Sequence, residues 1–439
     1  MNAQPARTSE APKLESLPRE QLRSLQLAKL QNVLKRVAAS VPFYRRKFEA
    51  AAIRADEIRS LEQLRQLPFT TKADLWENYP FGLLATPSEE VSRVHASSGT
   101  KGKLTLAAYT RKDVTQWGEL MARCLSAAGA RAGMRVLNAY GYGLFTGGLG
   151  FHYGAEHLGA TVIPISGGNT ARQVQLLEDL QPEVLCCTPS FALTIAEACE
   201  QSGSGKPLNL KIGLFGAEPW TESMRAQIEK RLGLSAFDTY GLSEVGGPGV
   251  AQECAEKTGG LHVWEDFFLP EVIDPRTGDP LPPGEEGELV LTTLEREAMP
   301  LVRYRTGDIT TLDAQTCACG RTHARIRRIR GRRDDMLIIR GVNVYPSEIE
   351  SVLLKFEEVL PFYELHLDRP RTLDQLTVRV ECAGRHLDGQ AAGSELAGRL
   401  QSAIASRCAV RVEIELLATG TLTRSIGKAL RIVDKRPRE

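Results

Sequence analysis

The fold is decided by residues 211–240, which read KIGLFGAEPWTESMRAQIEKRLGLSAFDTY. Apolar runs predict strands at residues 211–215 and 236–240, and a helical pattern fills residues 218–232 between them. Alternation of strand and helix implies right-handed crossovers and a mostly parallel sheet covered by helices. Ligands of such sheets bind beyond the carboxyl ends of the strands, in the connecting loops.

The same alternation extends upstream, and the pattern changes downstream. Past residue 260 it becomes more β-like, with short strands joined by Pro/Gly turns. After residue 332 the order is strand, helix, two strands, helix and strand, which predicts a separate α+β domain. Outside residues 211–240, strands are predicted at residues 136–139, 161–165, 184–187, 271–273, 287–293 and 308–312, and helices at 18–40 and 170–180.

The length of 439 residues predicts two or three domains. We expect a disordered N-terminus at residues 1–16 and a large N-terminal domain at 17–333, with parallel sheets covered by helices and a β-rich part at about 260–330. A small mobile α+β domain is expected at 334–439, hinged near Asp334. The predicted fold class is therefore α/β.

Composition and charge exclude several classes of protein. The chain is 42% apolar and 25% charged, as in an ordinary globular protein. A net charge of +1 gives no electrostatic reason to expect nucleic acid or an anionic membrane as the main partner. No run reaches the roughly 18 to 20 apolar residues of a transmembrane helix, and no signal peptide is evident. We therefore expect a cytoplasmic protein.

A loop near residue 97 has the composition of a phosphate-binding nest. Two glycines let backbone amides turn toward one point, where hydroxyl and ammonium groups also converge. The spacing is not that of a Walker A loop. On its own, the heptad could equally be a solvated turn of small polar residues. Its residues are Ser97, Ser98, Gly99, Thr100, Lys101, Gly102 and Lys103.

Further segments would complete a nucleotide site. Gly216-Ala-Glu-Pro219 follows a predicted strand, so its backbone can pass close to a flat ligand. Asp238-Thr-Tyr-Gly-Leu-Ser-Glu244 ends the next strand and offers an aromatic face, a small residue and two carboxylates. Asp308 and Lys428 each follow a glycine. Taken singly, these carboxylates and this lysine could also be surface or turn residues.

In their order and spacing, these segments resemble the acyl-adenylate-forming ligases, and among them the phenylacetate–CoA ligases, across essentially the whole chain. The loop near residue 97 is similar to the family's Ser-Ser-Gly-Thr-Thr-Gly-Lys-Pro-Thr, with Lys101 replacing a threonine and Leu104 a proline. Longer stretches similar to the phenylacetate branch lie at residues 138–154, 166–170, 240–245 and 335–344.

The resemblance implies a two-step reaction that uses ATP, Mg²⁺ and coenzyme A. ATP first converts a carboxylic acid to an acyl-adenylate and releases pyrophosphate, and the thiol of coenzyme A then displaces AMP. Both steps move negative charge onto phosphate oxygens, so catalysis should rest on positioning and on cations.

The resemblance also assigns roles to single residues. The loop at residues 97–103 would hold the β- and γ-phosphates, with the role of Lys101 open, and Glu244 would bind the Mg²⁺ that bridges phosphate oxygens. Lys428 would reach the α-phosphate and the acid during adenylation. Asp334 would be the pivot about which the small domain rotates, so that residues 340–344 replace Lys428 for thioester formation.

Tyr240 would stack on adenine, with Asp238 near its amino group, and Asp308 would accept hydrogen bonds from both ribose hydroxyls. The other residues assigned to the ATP site are Ala217, Glu218, Gly241 and Arg332.

The acid pocket is predicted from a run of aromatic residues. The rings of Tyr140, Tyr142 and Phe145 could enclose a phenyl group near Gly147, because aromatic rings prefer stacked or edge-to-face contact. Ala217 is assigned to this pocket as well. Such rings could instead belong to the core. Phenylacetate is the leading acid, and hydroxyphenylacetate and benzoate-like acids stay open.

A second candidate site contains cysteines. Cys317 and Cys319, with Cys254 and His262 upstream, meet the ligand count of a tetrahedral zinc site, and His323 could substitute for His262. Some phenylacetate–CoA ligases carry such a structural zinc, which this pattern resembles. Reduced thiols without metal are the alternative.

Three other classes of protein share some of these sequence features. The glycine-rich run at residues 148–154 suggests a dinucleotide-binding oxidoreductase, but neither the preceding strand nor the following acidic residue fits. An adenylating enzyme that loads a carrier protein would share every ATP residue. A non-catalytic relative should lack Lys428 or Glu244, and both are present. Relatives pair through the larger domain, so a homodimer is expected.

Overall fold

The computed structural model describes residues 14–97, 104–257, 259–332, 336–340, 342–369, 374–384, 390–424 and 431–436. They form a mixed α/β protein with several sheets, which confirms the predicted fold class. Contacts divide the chain into two compact units, Met1–Pro164 with Phe237–Arg328 and Ile165–Ala236 with Ile329–Glu439. The domain limits expected at residues 17–333 and 334–439 stay a prediction.

The described residues of the first unit form five helices and twelve strands, most of which pair antiparallel. The helices are α1 (Arg19–Ser40), α2 (Pro42–Ala50), α3 (Lys72–Glu77), α4 (Arg111–Ala127) and α5 (Gly147–Leu158). The strands before residue 165 are β1 (Val91–Ser97), β2 (Thr105–Thr110), β3 (Arg135–Asn138) and β4 (Thr161–Ile163). The strands that follow are β7 (Ser235–Leu242), β8 (Gly247–Glu253), β9 (Leu261–Val263), β10 (Phe268–Ile273), β11 (Gly287–Thr293), β12 (Tyr304–Thr310), β13 (Leu312–Asp313) and β14 (Arg325–Ile326).

The strands of the first unit form four groups of paired neighbours. β1 pairs with β2 antiparallel, β3 with β4 parallel, and β10, β11 and β12 form an antiparallel ladder. β7, β8, β9, β14 and β13 follow one another as antiparallel neighbours. α4 and α5 pack closely at Gly154, because this residue has no side chain. A Cβ built there would lie 2.4 Å from the Cβ of Met121.

The second unit combines a βα segment with the C-terminal part of the chain. Its helices are α6 (Thr170–Leu180), α7 (Pro189–Ser202), α8 (Glu222–Leu232), α9 (Pro346–Leu353) and α10 (Gln390–Cys408). Its strands are β5 (Val184–Cys187), β6 (Ile212–Gly216), β15 (Gly331–Arg332), β16 (Leu337–Ile339), β17 (Val342–Val344), β18 (Val359–Asp368), β19 (Gln375–Cys382), β20 (Glu413–Ala418) and β21 (Ile432–Asp434).

The C-terminal part has its own apolar core. In β18 every second residue is buried, including Tyr363, Leu365 and Leu367, as expected of a strand with one covered face. The order in the sheet is β20, β19, β18, β21, and α9 and α10 contribute buried residues to the same cluster. The α+β character predicted after residue 332 is therefore present.

Several element limits differ from the predictions for local reasons. The helix expected from residue 218 begins at Glu222, because the side chain of Thr221 accepts a hydrogen bond from the Met224 amide and caps it there. The strand expected at 308–312 is β12, which already begins at Tyr304. Within the N-terminus expected to be disordered, Glu15 is buried and pairs with Arg321; residues 1–13 lie outside the described residues. In the described part of the chain, no helix is long and apolar enough to cross a membrane.

Candidate active site and metal cluster

Glu244 lies in a buried turn between β7 and β8. The residue belongs to a short 3₁₀ turn, Ser243–Val245, and is only 8% exposed. Gly246 and Gly247 follow with φ angles of 143° and 94°, which a residue with a side chain rarely adopts. A Cβ at Gly247 would also lie 2.9 Å from Thr146 and from Trp117. The glycines are therefore required for the turn that presents this carboxylate.

Two hydroxyl contacts connect this turn to the neighbouring segments. Ser97, the last residue of β1, lies with its hydroxyl 3.4 Å from Oε1 of Glu244. The hydroxyls of Thr146 and Ser243 are 3.2 Å apart. The turn that carries Glu244, the predicted metal ligand, therefore contacts two other predicted features. Ser97 begins the predicted phosphate loop, and Thr146 directly precedes Gly147 of the predicted acid pocket.

Tyr240 and Asp308, two residues predicted to bind the nucleoside, contact each other directly. The hydroxyl of Tyr240 donates a hydrogen bond to Oδ2 of Asp308 over 2.5 Å. Asp308 is 6% exposed, and Tyr240 is partly exposed. Gly241 is packed too closely for any side chain, because its Cβ would lie 2.2 Å from the carbonyl oxygen of Gly247.

Asp238 lies two residues before Tyr240 on the same strand. Its amide donates to Glu253 over 3.0 Å, and its carboxylate pairs with Arg328 over 3.4 Å. Sequence reasoning assigned Asp238 to adenine but gave no role to Arg328. The basic composition of residues 325–333 was the signal that could have indicated this ion pair.

The predicted acid pocket has aromatic rings on two sides of Gly147. Tyr140 is buried and stacks on Phe151 with ring centroids 4.9 Å apart, so it partly belongs to the core. Phe145 is 43% exposed. A Cβ at Gly147 would lie 2.9 Å from the ring of Phe145 and 3.1 Å from that of Tyr140. Tyr142 turns to a polar neighbour, with its hydroxyl 3.2 Å from Nδ1 of His152.

His95 holds the segment before this pocket and was not anticipated from the sequence. The carbonyl of Leu144 accepts a hydrogen bond from Nδ1 of His95 over 3.0 Å and another from the amide of Ala96 over 2.9 Å. The His95 ring meets Tyr109 and Trp117 edge to face. Burial lowers the pKa of His95, which favours the neutral ring.

The remaining predicted residues lie in the second unit or outside the described part of the chain. Ala217 has a φ of 70°, and Oε1 of Glu218 accepts the amide of Ser190 over 2.7 Å at the beginning of α7. Arg332 lies in β15. Those outside the described residues are Ser98, Gly99, Thr100, Lys101, Gly102, Lys103, Asp334 and Lys428.

Cys254, His262, Cys317 and Cys319 form a compact cluster. Their ligand atoms all lie within 4.8 Å of one another. The sulfurs of Cys254 and Cys317 are 3.8 Å apart, and that of Cys319 is 3.5 Å from Nε2 of His262. Bonds of about 2.3 Å to sulfur and about 2.0 Å to nitrogen in a tetrahedral site give sulfur–sulfur and sulfur–nitrogen separations of about 3.8 and 3.5 Å. These two distances match a tetrahedral zinc site, so the four residues are suited to hold zinc.

The histidine of this cluster is His262, not His323. Nδ1 of His262 lies 3.2 Å from the carbonyl of His323, so its proton is donated there and Nε2 faces the sulfurs. His323 contributes its backbone, and its ring packs near Trp264. Burial raises the pKa of Cys254 to about 12 and lowers that of His262 to about 4. A metal cation would favour the thiolates in this buried place.

The sequence matches one family over most of its length. Residues 24–294 match the AMP-binding enzymes, and residues 341–436 match the AMP-binding enzyme C-terminal domain. The chain therefore belongs to the AMP-binding enzymes.

Among these enzymes, it is similar to the phenylacetate–coenzyme A ligases. That of Thermus thermophilus is 51% identical over 436 residues, which cover 96% of this chain and 98% of that protein. That of Escherichia coli is 48% identical over 426 residues, or 96% of this chain and 97% of that protein. Such identity over nearly the whole length places the chain in the phenylacetate–CoA ligase family and confirms the resemblance.

Two solved structures of 2-hydroxyisobutyryl-CoA ligase extend the comparison to the fold. One, in the postadenylation state with R3-HIB-AMP, has a TM-score of 0.91 and 30% identity, covering 99% of this chain and 94% of that chain. The other, in the thioesterification state with 2-HIB-AMP and CoA, has a TM-score of 0.72 and 31% identity at the same coverage.

We predict that Gly147→Ala narrows the space between Tyr140 and Phe145. The added methyl group would meet both rings closer than ordinary contact distance. The KM for an aryl acid should rise by about tenfold, with a smaller effect on a short alkyl acid, measured as acid-dependent AMP formation. Gly141→Ala is the matched control, because its Cβ would have nothing within 4 Å. Equal effects of the two substitutions would contradict the assignment.

Proposed function

We propose that this protein activates phenylacetate with ATP and Mg²⁺ to an acyl-adenylate and transfers the acyl group to coenzyme A, releasing pyrophosphate and AMP. The observation that carries this proposal is the turn at residues 243–244, where Glu244 contacts Ser97 and Ser243 contacts Thr146. On the adjoining β7, Tyr240 is hydrogen-bonded to Asp308 of β12. Similarity to phenylacetate–CoA ligases over nearly the whole chain supports the same substrate.

Within this proposal, Glu244 and the Ser97 hydroxyl would hold Mg²⁺ and its phosphate ligands. A carboxylate and a hydroxyl are hard oxygen donors of the kind that Mg²⁺ binds, and the buried turn fixes their positions. Mg²⁺ would neutralise negative charge on the phosphates. The loop at residues 98–103 would supply the remaining phosphate contacts.

The nucleoside would bind along β7 and β12. The Tyr240–Asp308 hydrogen bond fixes the position of both side chains, so that the ring can stack on adenine while the carboxylate lies toward the ribose. We assign Asp238, Gly241, Ala217, Glu218 and Arg332 to the rest of the ATP site on the resemblance alone. Lys428 would act in adenylation, and Asp334 would be the pivot of the C-terminal domain.

The substrate is tested with a panel of acids. AMP release should depend on phenylacetate, and its kcat/KM should exceed that for benzoate or 2-hydroxyisobutyrate by about tenfold or more. Parallel assays with and without coenzyme A separate adenylation from thioester formation. A higher kcat/KM for another acid would change the substrate and keep the ligase reaction, whereas acid-independent ATP cleavage would contradict both.

The role of Lys428 is tested by separating the two half-reactions. Lys428→Ala should reduce acid-dependent pyrophosphate release by about 10²–10³-fold, because a cation at the α-phosphate is lost. Thioester formation from supplied phenylacetyl-adenylate should be largely retained. Lys355→Ala, at an exposed position in the same part of the chain, is the control. An equal loss in both half-reactions would contradict the assignment.

We propose further that Cys254, His262, Cys317 and Cys319 hold a structural zinc ion. Protein purified without chelators should contain about one zinc per chain by elemental analysis. Cys317→Ser should lose the metal and lower the melting temperature, because a buried site without its metal leaves polar groups uncompensated. Cys199→Ser, at a cysteine outside the cluster, should change neither quantity. Near-zero zinc in the wild type would contradict the proposal.

The homodimer and the cytoplasmic location stay proposals based on the resemblance. Light scattering of the purified protein tests the first, and cell fractionation tests the second.

A further inference from the structure

Arg424 occupies an unusual position in the second unit. It lies between β20 and β21, four residues before the predicted catalytic Lys428. Its guanidinium group is 3.5 Å from the centroid of the Phe362 ring on β18. Two carboxylates contact it, Glu381 at the end of β19 and Glu197 on α7. The Arg424 side chain thus connects the two segments of the second unit, Ile165–Ala236 and Ile329–Glu439.

Every N–H donor of this guanidinium has an acceptor. Nη1 and Nη2 donate to the two oxygens of Glu381 over 2.8 and 2.9 Å, and Nη1 also donates to the carbonyl of Leu422 over 3.0 Å. Nε and Nη2 donate to the two oxygens of Glu197 over 3.2 and 3.3 Å. Two forked contacts of this kind suit a planar guanidinium and not an ammonium group.

The two carboxylates that pair with Arg424 bind different segments of the chain. Glu381 is fully buried and also accepts the amides of Leu422 and Gly420, over 2.7 and 3.1 Å. Burial alone would raise its pKa, but the hydrogen bonds from Arg424 and from these amides lower it. Glu381 therefore fixes the 420–424 segment within the C-terminal part itself. Glu197 is the partner of Arg424 that belongs to another part of the chain.

We propose that the Glu197–Arg424 ion pair is a positioning contact for adenylation: it holds the segment before Lys428 against α7 in the first half-reaction and is broken in the second. The proposal rests on the proposed function. A small domain that rotates between half-reactions cannot keep a contact with α7 in both. Because Arg424 lies only four residues before Lys428, the residue assigned to adenylation, the contact is assigned to the first half-reaction.

The charges make Glu197 the informative residue to change. Arg424 carries one positive charge between two negative ones, so Glu197→Gln leaves Arg424 paired with Glu381 and no buried charge uncompensated. Removing Arg424 instead would leave the buried Glu381 without its cation. The Glu197 side chain is 17% exposed, so its replacement should not prevent folding.

The test measures both half-reactions in the full-length protein. Glu197→Gln should lower phenylacetate-dependent ATP–pyrophosphate exchange by about 5- to 20-fold. Thioester formation from supplied phenylacetyl-adenylate should be unchanged or faster. Glu197→Asp, which keeps the charge, should recover part of the exchange activity, and added salt should slow exchange in the wild type more than in Glu197→Gln.

Glu200→Gln is the matched control. Glu200 lies on the same helix and makes a similar forked ion pair with Arg231, over 2.8 Å at both contacts, but Arg231 does not belong to the C-terminal part. Its substitution should leave both half-reactions unchanged. Equal effects of Glu197→Gln on the two half-reactions, or none, would overturn the proposal. If the wild type shows no exchange with phenylacetate, the proposed substrate has failed, and the same comparison is made with the acid that the panel identifies.

Discussion

Glu244 stands in a turn that only glycines can complete, and the geometry of the candidate site depends on this turn. Gly246 and Gly247 adopt positive φ angles, and Gly247 lies against Thr146 and Trp117. The carboxylate is thereby withdrawn from solvent and held beside the end of β1. A preorganised charge of this kind can bind a cation without reorganisation during the reaction, which is how electrostatic catalysis is achieved.

The second unit contains a comparable constraint in α7. At its beginning the amide of Ser190 donates to Glu218, a residue assigned to the ATP site, and Glu197 lies seven residues further along. At 1.5 Å per residue, this separation is about 10 Å along the helix. One rigid element therefore connects the predicted nucleotide pocket with the ion pair proposed to position the Lys428 segment.

Local sequence patterns predicted much of the fold, because strands such as β5 and β11 are short apolar runs and α6 is periodic. α8 and β12 begin at residues other than those predicted. The Thr221 cap determines where α8 begins, and the register with β11 determines where β12 begins. The zinc-type quartet was recognisable from residue type, and tertiary structure selected His262 over His323. The contacts Thr146–Ser243, His95–Leu144 and Arg424–Glu197 could not be predicted, because each joins segments far apart in the sequence without a distinctive motif.

The central claim is that the acid is activated as an adenylate before coenzyme A reacts. It is tested most directly by mass spectrometry of the purified protein incubated with ATP, Mg²⁺ and phenylacetate in the absence of coenzyme A. We predict phenylacetyl-adenylate and pyrophosphate, followed by conversion of the adenylate to phenylacetyl-CoA and AMP when coenzyme A is added. Formation of ADP and phosphate, or thioester formation without an adenylate intermediate, would contradict the account.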